Sequence, residues 1–139
     1  QILHGAENAQ AMQFINEKPD GLDFELTIKG ANLSGGQKQR ISLSRALSGK
    51  PEILVLDDSS SALDYATDAK LRKAIRENYS GETTSVIVAQ RISSIKHSDL
   101  ILVIEDGRIT GSGCHDELMK SCELYKEISE SQMGGALLE

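Results

Sequence analysis

Residues 33–64 constrain this chain more than any other stretch. They read Leu33-Ser34-Gly35-Gly36-Gln37, a basic amphipathic run through Leu47, then Ile53-Leu54-Val55-Leu56-Asp57-Asp58 and Ser61-Ala62-Leu63-Asp64. Ser34 stands where it can cap a helix. Gly35 and Gly36 put no Cβ between the first backbone N–H groups and an anion at the positive end of the helix dipole. Ile41, Leu43, Ala46 and Leu47 recur at helical spacing as an apolar stripe, while Lys38, Gln39, Arg40 and Arg45 face elsewhere. Ser48-Gly49-Lys50-Pro51 ends the helix, since glycine permits a left-handed cap and proline cannot continue the turn. Residues 53–56 are apolar at every position, the pattern of a parallel strand covered on both faces. That strand carries Asp57 and Asp58 to its carboxyl end, where open α/β sheets bind ligands.

Taken alone, a Ser-Gly-Gly helix start is a cap and an acidic pair after a strand is a turn. In this order and spacing they point to a nucleotide with Mg²⁺. Leu33 to Gln37 with Lys38-Gln39-Arg40 resembles the signature motif of ABC ATPases, Ile53 to Asp57 resembles Walker B, and Ser61 to Asp64 resembles the D-loop. The resemblance is to the ATP-binding domain of an ABC exporter and continues to Gln132. It implies an α/β fold: a partial P-loop NTPase core of RecA-like type with part of the helical signature subdomain. It implies ATP and Mg²⁺ as cofactors, with Asp57 holding the metal and Asp58 and Gln90 at the catalytic positions. Ser34, Gly35, Gly36, Gln37, Ser61 and Asp64 are the further nucleotide-site candidates. The matching division of the chain is 1–50 as helical subdomain, 51–133 as α/β core and 134–139 as tail.

With 139 residues, one domain is expected. A formal charge of −6 argues against a nucleic-acid surface, and the basic run from Lys38 to Arg45 reads as a solvated helix face. No apolar run reaches the roughly 20 residues that span a bilayer, and no signal segment opens the chain, so a soluble, cytoplasmic chain is expected. Cys114 and Cys122 form no Cys-x-x-Cys pair, and His4, His97 and His115 are scattered, so free thiols and no metal centre are expected.

Along the chain, residues 1–18 give a weak helical pattern with Ala9, Met12, Phe14 and Ile15 as core candidates, closed by Pro19-Asp20-Gly21. Thr27-Ile28-Lys29-Gly30 stands where the family has a Gly-Glu-basic-Gly stretch, so the acidic residue that the resemblance places against the transmembrane coupling helices is absent. Residues 65–78 read as a helix with Ala66, Ala69, Leu71, Ala74 and Ile75 inward, ended by Ser80-Gly81. Residues 84–89 read as a buried strand with Gln90-Arg91 at its ligand end, and residues 93–98 as a short turn or helix. Residues 100–104 and 108–111 are strands joined at Asp106-Gly107. Residues 114–132 form one or two helices carrying Leu118, Met119, Leu124 and Ile128, and Gly134-Gly135 open a frayed tail.

No Gly-x-x-x-x-Gly-Lys-Ser/Thr occurs; Gly49-Lys50 is followed by Pro51. Without that loop there is no cradle for the α- and β-phosphates, so the chain reads as the carboxyl-terminal part of the domain, holding ATP weakly and inactive alone. The family's catalytic glutamate is here Asp58, shorter by about 1.5 Å, and its switch histidine is Gln90, which carries no titratable charge. The resemblance places both changes at the chain's own site and leaves the signature intact for a second ATP-binding domain. It therefore implies a heterodimeric exporter on the cytoplasmic face of a membrane, partnered by a transmembrane domain. The rival class is a chromosome-maintenance or repair ATPase lobe, which calls for a preceding coiled coil; residues 1–30 show no heptads. A non-catalytic interaction fragment is the third reading. In the family's sheet the Walker A strand lies between the strands at 84–89 and 100–104. Its absence predicts an open strand edge that rearranges, self-associates or lowers stability.

Overall fold

The structure, a computed structural model, describes residues 1–135. It divides into two compact units, residues 1–88 and the described residues from 89 onward.

The first unit opens with helices α1 (Ile2–Asn8) and α2 (Met12–Asn16), separated at Gln10, whose φ of 58° breaks the helical run expected over 1–18. Ala9, Phe14 and Ile15 are buried and Met12 packs against them or their neighbours, as the pattern predicts. Two short 3-10 turns, Gly21–Asp23 and Ile28–Gly30, lead to α3 (Gly35–Leu47). Helix α3 buries Leu43 and Leu47, with Ile41 half-buried; Ala46 of the expected stripe is exposed. The left-handed residue after α3 is Lys50 at φ 46°, not Gly49.

Strand β1 (Ile53–Asp57) pairs in parallel with β2 (Thr84–Val88), with Val55 opposite Val86. Between them lies α4 (Tyr65–Tyr79), the crossover that a parallel pair requires. Leu54 and Leu56 of β1 meet Leu43 and Leu47 of α3 and Leu71, Ile75 and Tyr79 of α4 in one core. By packing, the boundary between the two units falls after Val88. The double coverage expected for these strands is corrected: Ile53 and Val55 are 66% and 61% exposed, and Val86 and Val88 47% and 53%. One sheet face meets α3 and α4, and among the described residues of this unit no element covers the other. In α4 the inward residues are Asp68, Leu71, Ile75 and Tyr79; Ala66 and Ala69 are exposed, because the larger side chains take the core-facing stripe.

The second unit holds α5 (Ile92–Ile95), the antiparallel hairpin β3 (Ile101–Glu105) and β4 (Arg108–Gly113), α6 (His115–Ser121) and α7 (Glu123–Gly135). Asp106 and Gly107 sit at φ 48° and 73°, the left-handed pair of a two-residue hairpin turn. Ile92, Ile101, Val103, Leu118, Cys122 and Tyr125 form its core, with Met119, Leu124 and Ile128 packed around it. Helix α7 runs through Gly135, so the first two residues of the expected tail are helical; residues 136–139 of that tail lie outside the described residues.

Candidate functional site

The start of α3 is a complete capping box. Ser34 Oγ accepts the Gln37 N–H at 3.2 Å, and Gln37 Oε1 accepts the Ser34 N–H at 3.0 Å. Gln37 is thereby folded back on its own helix. The N–H groups of Gly35 and Gly36, in the first turn, have no intrahelical acceptor. The two glycines differ in what surrounds them. A Cβ on Gly36 would lie 2.9 Å from the Ala62 carbonyl oxygen, whereas a Cβ on Gly35 meets nothing nearer than the Ala62 side chain at 3.9 Å. Of these two positions, packing within the chain requires the absence of a side chain only at Gly36.

The loop after β1 is held from three directions. Gln39 of α3 donates Nε2 to the Asp58 carbonyl at 3.0 Å and accepts the Ala62 N–H on Oε1 at 3.0 Å. Ser60, 6% exposed, takes a bond from Arg72 Nη2 at 3.1 Å, and Arg72 pairs with Asp68, itself 4% exposed, at 3.1 Å. Asp64 caps α4, accepting the Thr67 N–H at 2.9 Å and the Thr67 hydroxyl at 2.8 Å. Those bonds from the Thr67 backbone, then its side chain, hold the exposed Asp64 carboxyl below its ordinary value.

Asp58 sits at φ 46°, a left-handed conformation that aspartate tolerates better than most side chains. Its N–H donates to the Val88 carbonyl at 3.0 Å, and its carbonyl also accepts the Ser61 hydroxyl at 3.1 Å. Backbone bonds thus fix Asp58 while its side chain stays exposed, next to the exposed Asp57 at the carboxyl end of β1. The Ser61 hydroxyl is engaged by the Asp58 carbonyl, and the Asp64 carboxylate by its cap. Asp57 is one carboxylate, and no group of three or more His, Cys, Asp or Glu among the described residues could hold a metal ion. A Mg²⁺ held at Asp57 would take one carboxylate from the chain and its other ligands from water and a substrate's phosphates.

Ser34, Gly35, Gly36, Gln37, Asp57, Asp58, Ser61 and Asp64 all belong to the first unit, gathered around the loop after β1 and the first turn of α3. Gln90 belongs to the second unit, exposed between Ala89 and the start of α5. The anchoring residues escaped the sequence reading. Gln39 lay inside a run read as a solvated basic face, and no local signal marks a bond to a residue 19 positions on. Asp68 and Arg72 did carry one: acid before base at i, i+4.

A side-chain-capped α3 packed on a parallel β1–β2 pair, with two carboxylates at the carboxyl end of β1, defines an α/β architecture. The family model described as ABC transporter matches residues 5–61. The chain is 48% identical over 134 residues to the uncharacterized ABC transporter ATP-binding protein YfiB of Bacillus subtilis, covering 96% of this chain and 23% of that protein. It is 51% identical over 143 residues to the probable multidrug resistance ABC transporter ATP-binding/permease protein YheI of the same organism, covering 94% and 24%. Against the ATP-dependent lipid A-core flippase of Shewanella frigidimarina it is 40% identical over 132 residues, covering 95% and 22%. A bacterial Atm1-family ABC exporter solved with ATP bound superposes with a TM-score of 0.89 at 36% identity, covering 94% of this chain and 23% of that one. Over nearly its whole length the chain is similar to the ATP-binding proteins of ABC transporters. It spans about a quarter of the length of the curated relatives it matches. No helix among the described residues is long and apolar enough to cross a membrane.

Proposed function

We propose that this chain serves an ABC exporter, coupling ATP binding and hydrolysis to transport on the cytoplasmic face of a membrane. In that exporter it works beside a transmembrane domain and a second, non-identical ATP-binding domain. Ser34, Gly35 and Gly36 belong to the partner domain's ATP site, while Asp57, Asp58 and Gln90 serve the chain's own site. The observation that carries this reading is Gly35. Its own chain leaves room for a side chain there, so a glycine at that point of a helix is accounted for by close approach of something outside the chain. A phosphate at the open N–H groups of a helix start is such a ligand.

At the chain's own site Asp57 would hold Mg²⁺, which when bound neutralises phosphate charge. Asp58 would take the proton of the attacking water, and Gln90 would hydrogen-bond the γ-phosphate. Asp58 is a methylene short of glutamate and its backbone is tied at both ends, so the loop does not advance to make up the distance. A general base out of hydrogen-bond reach loses about 100-fold or more, which makes this the slow site and the partner's the fast one.

The test is single-turnover hydrolysis in the assembled transporter with the partner's catalytic residue disabled. Asp58→Glu combined with Gln90→His should raise hydrolysis at this site by about 100-fold. A double variant no faster than the parent would end the slow-site assignment.

A further inference from the structure

The second unit contains a contact that neither the family resemblance nor the site reading uses. Gln132, near the end of α7, grips the segment after β2 with both ends of its amide. Its Oε1 accepts the Ile92 N–H at 2.9 Å, and its Nε2 donates to the Gln90 carbonyl at 2.8 Å. Helix α5 begins at Ile92, and its N-cap residue, Arg91, makes no side-chain cap bond. Gln132 therefore supplies, from 40 residues away, the acceptor that a local cap would give to the first turn.

Its place on α7 is fixed by packing. Tyr125, Ile128, Ser129 and Gln132 follow one another at i, i+3, i+4 and i+7 on a single face. Tyr125 and Ser129 are each 2% exposed, and Ile128 packs on the core that contains Ile92. Gln132 is the polar continuation of a buried stripe, so its amide is presented to residues 90–92 by a helix that is itself anchored. The two bonds straddle Arg91 and fix the direction in which the chain leaves Gln90.

We propose that Gln132 is a positioning residue for Gln90: helix α7 sets the backbone from which the Gln90 side chain reaches the γ-phosphate. This rests on the reading of Gln90 given above. Gln132 itself touches no substrate.

The test uses the assembled transporter with the partner's catalytic residue disabled, measuring single-turnover ATP hydrolysis and ATP affinity for Gln132→Ala and Gln132→Glu, each with and without Gln90→Ala. Glutamate keeps the size and the acceptor for Ile92 but sets an oxygen against the Gln90 carbonyl, and its ATP affinity and assembly report folding. Each Gln132 change should slow hydrolysis by about tenfold, the scale of one or two lost hydrogen bonds, with ATP affinity unchanged. In the Gln90→Ala background the same changes should have no further effect, a coupling that a purely structural role would not produce. If Gln90→Ala slows hydrolysis but the Gln132 changes do not, or if their effects multiply, Gln132 does not act through Gln90 and the proposal falls alone. If Gln90→Ala leaves the rate unchanged, the assignment of Gln90 falls and the proposal with it.

Discussion

Gln39 and Asp58 are 19 positions apart in sequence and joined by a 3.0 Å bond from the Gln39 amide to the Asp58 carbonyl. That bond ties α3 to the loop that carries the second carboxylate. Removing it by Gln39→Ala loses this bond and the one from Ala62, and should lower stability by about 1–2 kcal/mol. The urea midpoint of the chain is the measurement; a change below about 0.5 kcal/mol would mean that solvent replaces both bonds without loss.

The two glycines of α3 should separate fold from function. Gly36→Ala drives a Cβ toward the Ala62 carbonyl at 2.9 Å and should destabilise the chain by about 1–3 kcal/mol. Gly35→Ala meets only ordinary contact distances, and its stability should stay level or rise. In the assembled transporter, Gly35→Trp should nonetheless suppress hydrolysis at the partner's site and spare ATP binding at this chain's own. Unchanged steady-state turnover would remove Gly35 from the partner's site.

Asp58 at φ 46° makes a backbone prediction distinct from the catalytic one. Asp58→Gly should be neutral or stabilising, because glycine enters the left-handed region without steric penalty. Asp58→Glu should lose up to about 1 kcal/mol, since glutamate lacks aspartate's local tolerance of that region. Denaturant unfolding of both variants checks the order; Asp58→Glu more stable than Asp58→Gly would contradict it.

Asp64 and Glu117 should make stability sensitive to acid. Asp64 is held low by Thr67, and Glu117 by the Cys114 N–H that it accepts at 2.9 Å. A carboxyl whose folded pKa lies below its unfolded one stabilises the fold above the unfolded value. That contribution is lost as pH falls through the folded value. The urea midpoint should therefore drop below about pH 4, and Asp64→Asn, which still caps but does not titrate, should flatten the drop. An unflattened profile would place the sensitivity elsewhere.

The bare face of the β1–β2 pair predicts self-association of the chain by itself. Val55 and Val86 are cross-strand partners on that face and both are exposed. Sedimentation should show a concentration-dependent rise in mass that Val55→Lys with Val86→Lys abolishes; a monomer across the micromolar range would refute the expectation.

The sequence by itself determined the elements and their order. Capping chemistry at Ser34, the proline at 51, the apolar run 53–56 and the turn at Asp106-Gly107 act over a few residues, where backbone sterics and local hydrogen bonds decide. The helix start and strand end in residues 33–64 are legible for the same reason, since their spacing is covalent. What the tertiary structure decided is which side chains those elements bring together. Ala46, Ala66 and Ala69 fit the helical period yet lie outside, because Leu43, Leu47, Leu71 and Tyr79 fill the core first. An unbroken apolar strand does not say which of its faces will be covered, and here only that of Leu54 and Leu56 is. Gln39 on Asp58 and Gln132 on Gln90 and Ile92 are bonds across 19 to 42 positions. A glutamine has the same local pattern whether it grips a distant loop or faces solvent; only the packing of the helix that carries it selects between them.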